Sequence, residues 1–146
     1  MQRRMMTSDE RHKFLAALHV GVIAVARAGR APLAVPIWYG YEPGGDVFVW
    51  TGRGSMKDRL IRVAGRYSLV VQDETPPYRY VSVEGSAEFD ETPTIDDFRR
   101  LVRRYVPADE VDQFVEQEFD DGGIIIRMRP EHWLGVDYSG SAGTFE

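Results

Sequence analysis

The chain has 146 residues, 43% of them hydrophobic and 28% charged, a length and balance that fit one globular domain with a single core. It contains no cysteine, which excludes disulfides, thiolate metal sites and thiol catalysis. A formal net charge of −5 argues against general nucleic-acid binding, and no run reaches the roughly 18 apolar residues of a membrane-spanning helix.

The segment as far as Thr7 reads as a loose tail. Thr7-Ser8-Asp9-Glu10 has the form of a capping box, with Phe14, Leu15 and Leu18 as an apolar stripe behind it, so a short helix is predicted there. Residues 14–26 are apolar and follow Arg3 and Arg4, but Asp9, Glu10, His12 and His19 break the pattern of an export signal; a cytoplasmic location is expected. Residues 20–27 are rich in β-branched side chains and read as a strand. A turn at Ala28-Gly29-Arg30 leads to a second extended segment over residues 32–40. Its Pro36 suits an edge, a bulge or a strand end, because proline cannot donate to a ladder. Pro43-Gly44-Gly45-Asp46 turns the chain into a third strand over residues 47–51, which completes a meander. A helix over residues 55–63 then stops at Gly65.

Residues 67–72 form a fourth strand, and Asp73-Glu74-Thr75-Pro76-Pro77 a loop. Residues 80–89 alternate as a half-buried strand does. Ile95, Phe98, Leu101, Val102 and Tyr105 recur at helical spacing, and Val111, Phe114, Val115 and Phe119 do so again after Pro107. Gly123–Met128 and residues 133–137 supply the last strands, and a second loose tail starts at Ser139. Short strands joined mainly by turns, with inserted helices, predict a mainly β chain folded as an antiparallel barrel with flanking helices.

Chemistry concentrates in Val49-Trp50-Thr51-Gly52-Arg53-Gly54-Ser55-Met56-Lys57. A strand ends in a hydroxyl residue, two glycines follow, and Ser-x-Lys opens a helix. Amides at a helix start lack partners and carry partial positive charge, so a small anion, phosphate above all, fits there. Lysine is scarce in this chain: only Lys13 and Lys57 stand against 16 arginines. Arg53, Arg59, Arg62 and Arg66 extend the basic patch around Lys57. The same residues also fit a solvated, Arg-rich helix after a tight turn.

The stretch is neither a Walker motif nor G-x-G-x-x-G, and no serine sits in a G-x-S-x-G elbow. His12, His19 and His132 lack metal-ligand spacing, so no metal ligand and no catalytic residue is assigned. Trp38, Tyr39, Tyr41, Trp50, Tyr78 and Tyr80 fall around the candidate site. Barrel core and a dimer surface account for most of them, while one or two could line a pocket for a flat ring. Phosphate anchor and aromatics together point to a cofactor that bears both groups.

This arrangement resembles the pyridoxamine 5′-phosphate oxidase-like, FMN-binding split β-barrel superfamily. Three blocks carry the likeness: Gly21-Val22-Ile23-Ala24-Val25 with Pro36-Ile37-Trp38-Tyr39; Val49-Trp50-Thr51 with Ser55-Met56-Lys57, Leu60 and Tyr67-Ser68-Leu69-Val70-Val71; and Tyr80-Val81-Ser82-Val83-Glu84-Gly85-Ser86-Ala87 with residues 130–138. The resemblance implies a homodimer with two cofactor sites at its interface. It assigns the cofactor phosphate to Thr51, Ser55 and Lys57, with Met56 where FMN-using members often carry arginine. It sets the backbone of Val35, Pro36, Ile37 and Trp38 against the isoalloxazine-type ring, under a loop of Pro77, Tyr78 and Arg79.

The long C-terminal extension of the true oxidase has no counterpart here, so vitamin B6 oxidation is not expected. Compact length and the Ser-x-Lys block are similar to small members that use coenzyme F420, a deazaflavin whose acidic tail suits Arg53, Arg59 and Arg62. The expectation is F420-dependent hydride transfer to an unsaturated or quinone-like small molecule, with the proton from water or Tyr78. The alternatives are an FMN-dependent oxidoreductase and a non-catalytic carrier of haem or another cofactor. Neither nucleic acid nor membrane is an expected partner.

Overall fold

Alternation of apolar and polar residues resolves into nine strands and four α-helices across the described residues, 3–139 of a computed structural model. Residues 1–2 and 140–146 lie outside them, and with them the tail expected beyond Ser139. One antiparallel layer runs β3 (Leu33–Ile37), β2 (Gly21–Val25), β6 (Arg66–Gln72), the first part of β7 (Arg79–Asp90), β9 (His132–Asp137) and β1 (Arg4–Met5). The second runs β4 (Tyr39–Gly40), β5 (Val47–Gly52), β8 (Gly123–Met128) and the end of β7. The fold is thus the antiparallel split barrel predicted. Its interior is filled by inward positions of both layers: Ile23, Leu69, Val81, Val83, Val47, Ile124, Ile126 and Met128 are fully buried.

β7 joins the two layers. Residues 79–84 pair with β9 and residues 87–90 with β8, so its partner changes at Gly85-Ser86. There the link from β8 to β9 crosses directly over the strand, held by Arg129 N–H to Ser86 O at 3.1 Å and Glu131 N–H to Glu84 O at 2.9 Å. A Cβ on Gly85 would stand 1.7 Å from the Arg129 carbonyl oxygen, so only glycine permits the crossing.

α1 (Ser8–Ala16) starts at the predicted Thr7–Glu10 capping box, and α2 (Met56–Ala64) stops at Gly65 in the left-handed conformation. α3 (Ile95–Tyr105) and α4 (Val111–Glu118) lie over the outer side of the second layer. Trp50 meets Phe98 and Phe119, while Phe48 and Ile125 pack with Leu101. β5 and β8 are therefore buried on both faces, which explains their nearly unbroken apolar sequence.

Three expectations need correction. The segment before Thr7 is not loose throughout: Arg4–Met5 pairs with Val136 and Asp137, Met6 is buried, and Arg4 bridges Glu10 and Asp137. Leu18 does not extend the α1 stripe, because the helix ends at Ala16 and Ala17 turns extended, leaving Leu18 63% exposed. The extended segment at residues 32–40 is two strands in different layers. The chain passes between them at Trp38, and β3 remains an edge strand, where Pro36 needs no donor.

Candidate cofactor site

The turn after β5 builds the start of α2 from its own side chains. Ser55 caps the helix, its hydroxyl accepting from the Asp58 amide at 3.3 Å and lying 3.0 Å from the buried Thr51 hydroxyl. Asp58, at the third helical position and only 3% exposed, accepts from Gly54 N–H at 2.7 Å and from Arg62 Nε at 2.7 Å. Ser55 N–H closes the turn onto Gly52 O at 3.1 Å. The amides of Met56 and Lys57 and the half-buried Lys57 ammonium find no hydrogen-bond or ion-pair partner among the described residues. Two outward amides and one ammonium are the donor set that a phosphate monoester takes at a helix start.

Asp58 is the functional-region residue that sequence reasoning missed. Its signal was a carboxylate at the third position after a serine cap, the spacing of a capping box, here turned onto the preceding glycine amide. The wider basic patch is also not as expected. Arg62 is bound by Asp58 and Glu91, Arg53 donates to the Glu91 carbonyl, and Arg66 pairs with Glu131 at 3.0 Å. The Arg62 and Arg66 charges are paired with carboxylates, whereas Arg53 meets only a main-chain carbonyl, which leaves Arg53, Lys57 and Arg59 without ion-pair partners among the described residues.

The other candidate residues fall into two groups. Val35, Pro36 and Ile37 lie on edge strand β3, opposite Ile23, Val22 and Gly21. The start of α2 stands at the far end of β2, where Arg27 reaches the Met56 sulfur at 3.9 Å. From Arg27 to Ile23 is about 13 Å along an extended chain, so an elongated molecule can touch both places. Trp38 turns away, stacked on Tyr105 at 4.7 Å with 6° between the rings.

Pro77, Tyr78 and Arg79 lie at the opposite end of β6, about 20 Å from its start at Arg66. One chain therefore does not bring this loop to the start of α2. Arg79 is tied to Asp73 at 2.9 Å and lies over the Phe14 ring. Tyr78 and Tyr80 join Tyr138 around a hollow of about 360 Å³. Tyr39 is core, Tyr41 is core with an edge on a hollow beside Arg100, and Trp50 packs under α3 and α4. His12 bonds to the Tyr41 hydroxyl at 2.5 Å. His19 bonds to Phe14 O at 3.0 Å, and burial holds its pKa below the ordinary histidine value.

The outer face of the first layer is the remaining feature. Register places Pro36, Val22, Val70, Ser82 and Leu134 in one row across five strands. Val70 and Leu134 stay 36% and 44% exposed, and beside this row Leu18, Val20 and Pro36 border a hollow of about 470 Å³.

The likenesses of the chain agree with this architecture. A conserved hypothetical protein of Mycobacterium tuberculosis superposes with a TM-score of 0.76 at 22% identity, covering 100% of this chain and 96% of that one. A FAD-binding protein of Mesorhizobium loti gives 0.68 at 22% identity, covering 94% and 99%. An F420 reductase gives 0.66 at 24% identity, covering 84% and 94%. No functionally curated protein matches the sequence. The family model for pyridoxamine 5′-phosphate oxidase matches residues 7–134, from the α1 cap into β9. The chain belongs to the pyridoxamine 5′-phosphate oxidase family.

Proposed function

We propose that this protein is an oxidoreductase that holds a phosphate-bearing deazaflavin, coenzyme F420, between two copies of itself and passes hydride to an unsaturated or quinone-like small molecule. One observation carries the reading: among the described residues the Lys57 ammonium and the Met56 and Lys57 amides have no hydrogen-bond or ion-pair partner at the start of α2. When bound, the cofactor supplies the hydride chemistry, and the protein supplies binding, orientation and exclusion of water.

Lys57 and the two amides bind the phosphate, while Thr51 and Ser55 hold the turn in shape through their paired hydroxyls. The backbone of Val35, Pro36 and Ile37 backs the flat ring. A second copy set across the row from Pro36 to Leu134 buries the apolar face and keeps water from the ring. In that arrangement the loop of Pro77, Tyr78 and Arg79, remote from Lys57 within its own chain, closes the site of the other copy. A charge-assisted contact of Lys57 with phosphate contributes about 1.5–3 kcal/mol.

A second reading, FMN in place of F420, is favoured by one observation. Arg53 and Arg62 are engaged by Glu91 and Asp58, so a long acidic tail meets fewer free cations than the sequence promised. Equilibrium titration of the purified protein with F420 and with FMN, followed by ring fluorescence, tests the proposal. Tight F420 binding, with oxidation of reduced F420 by enone or quinone acceptors, supports it. FMN binding alone moves the protein to the second reading, and binding of neither refutes the redox function.

A further inference from the structure

A second pocket lies away from Lys57, between the hairpin of β4 and β5 and the outer side of α3. Its volume is about 300 Å³, and Arg100, Arg104 and Arg127 line it together with Tyr41, Glu42 and Asp46. Three guanidinium groups thus come from α3 and β8 onto one small concavity. The Arg127 guanidinium has no hydrogen bond or ion pair among the described residues, and Arg100 has Asp97 of its own helix, at 3.9 Å, and lies over the Phe48 ring at 5.0 Å. Arg104 spends two nitrogens on the carbonyls of Ala16 and Ala17, at 3.2 Å each, and lies over the Tyr39 ring at 5.0 Å, while its Nε is buried with no hydrogen-bond partner among the described residues.

The two carboxylates on the rim do not resolve this. Glu42 and Asp46 belong to the turn closed by Gly45 N–H to Glu42 O at 2.9 Å, and neither is ion-paired to the three arginines. Like charges in a partly desolvated hollow repel one another unless an anion sits among them. Guanidinium forks bind planar or tetrahedral oxyanions with two parallel hydrogen bonds. We infer that this pocket binds a small oxyanion-bearing metabolite, through a phosphate or clustered carboxylates, at a site separate from the cofactor.

Calorimetric titration of the whole protein with inorganic pyrophosphate and with citrate, in phosphate-free buffer, tests this. The expected result is saturable binding of at least one anion by the Lys57→Ala protein, in which the phosphate site at the start of α2 is removed, weakened about tenfold or more when Arg127→Gln is added. Arg100→Gln, on the exposed side of α3, gives the same test if Arg127→Gln folds poorly. Preference for pyrophosphate assigns a phosphate ligand, and preference for citrate a carboxylate one. Failure of both anions to bind at millimolar concentration overturns the inference, as does binding that Lys57→Ala abolishes or that both arginine variants leave intact.

Discussion

Replacing Asp58 with alanine tests how the start of α2 is held. Asp58 accepts from the Gly54 amide and from Arg62 Nε, both at 2.7 Å, and is 3% exposed. Removing the carboxylate strands a part-buried amide, and a charge-assisted hydrogen bond of this kind is worth about 1.5–3 kcal/mol. The Arg62 bond adds less. That side chain is 42% exposed and keeps Glu91, so solvent screening limits its share to roughly 0.5 kcal/mol. The sum is about 2–3.5 kcal/mol. Urea unfolding at fixed protein concentration reads it directly, because a change in midpoint at constant slope reports stability alone. Asp58→Asn, which keeps one acceptor oxygen for Gly54, should recover about half of the loss. A cost below about 0.5 kcal/mol for Asp58→Ala would refute the reasoning, since surface substitutions alone fall in that range.

Gly85→Ala forces a methyl group to 1.7 Å from the Arg129 carbonyl, so the β8–β9 link must lift and release its two backbone bonds. The expected cost is about 3 kcal/mol or more, read from the same unfolding curves; a cost under about 1 kcal/mol would show that the crossing is not tight. The N-terminal attachment should be acid-labile. The Arg4 side chain, with the Thr7 amide, holds the Glu10 pKa down at about 2, against 4.5 for a free glutamate. A depressed folded-state pKa contributes stability above the unfolded value that is lost on acidification, so protection of the Met6 amide, bonded to Gly135 O, should fall between pH 4.5 and 2. Hydrogen exchange measures it, and Arg4→Ala should flatten that dependence; a profile unaffected by Arg4→Ala would contradict the assignment.

Much of this architecture is legible in the sequence because it is local. The Thr7–Glu10 box, the Gly65 stop and the two helical stripes after Ile95 need only neighbouring residues, and each appears where the spacing puts it. Pairing across the chain is less legible. Nothing near Arg4–Met5 announces a strand whose partner is more than a hundred residues away. Pro32 to Gly40 reads as one extended run, since a change of layer at Trp38 leaves φ and ψ extended on both sides.

The candidate site divides in the same way. The hydroxyls, glycines and Lys57 stand together in sequence and in space. The carboxylates that neutralise Arg62 and Arg66, namely Glu91 and Glu131, are brought in by the end of β7 and the approach to β9, and Arg53 meets only the Glu91 main-chain carbonyl. Sequence counts charges, but only the fold shows which are already paired. That is why a patch of Lys57 and four arginines reduces to three cations without an ion pair among the described residues, Arg53, Lys57 and Arg59.

The most direct test of the central claim is the affinity of F420 and FMN for the wild-type protein and for Lys57→Ala, measured side by side. Loss of one charge-assisted phosphate contact predicts a Kd raised roughly tenfold to a hundredfold for whichever cofactor binds, with the unfolding midpoint of the cofactor-free protein unchanged. Equal affinity in the two proteins would contradict the account, because the phosphate would then lie elsewhere than at the start of α2.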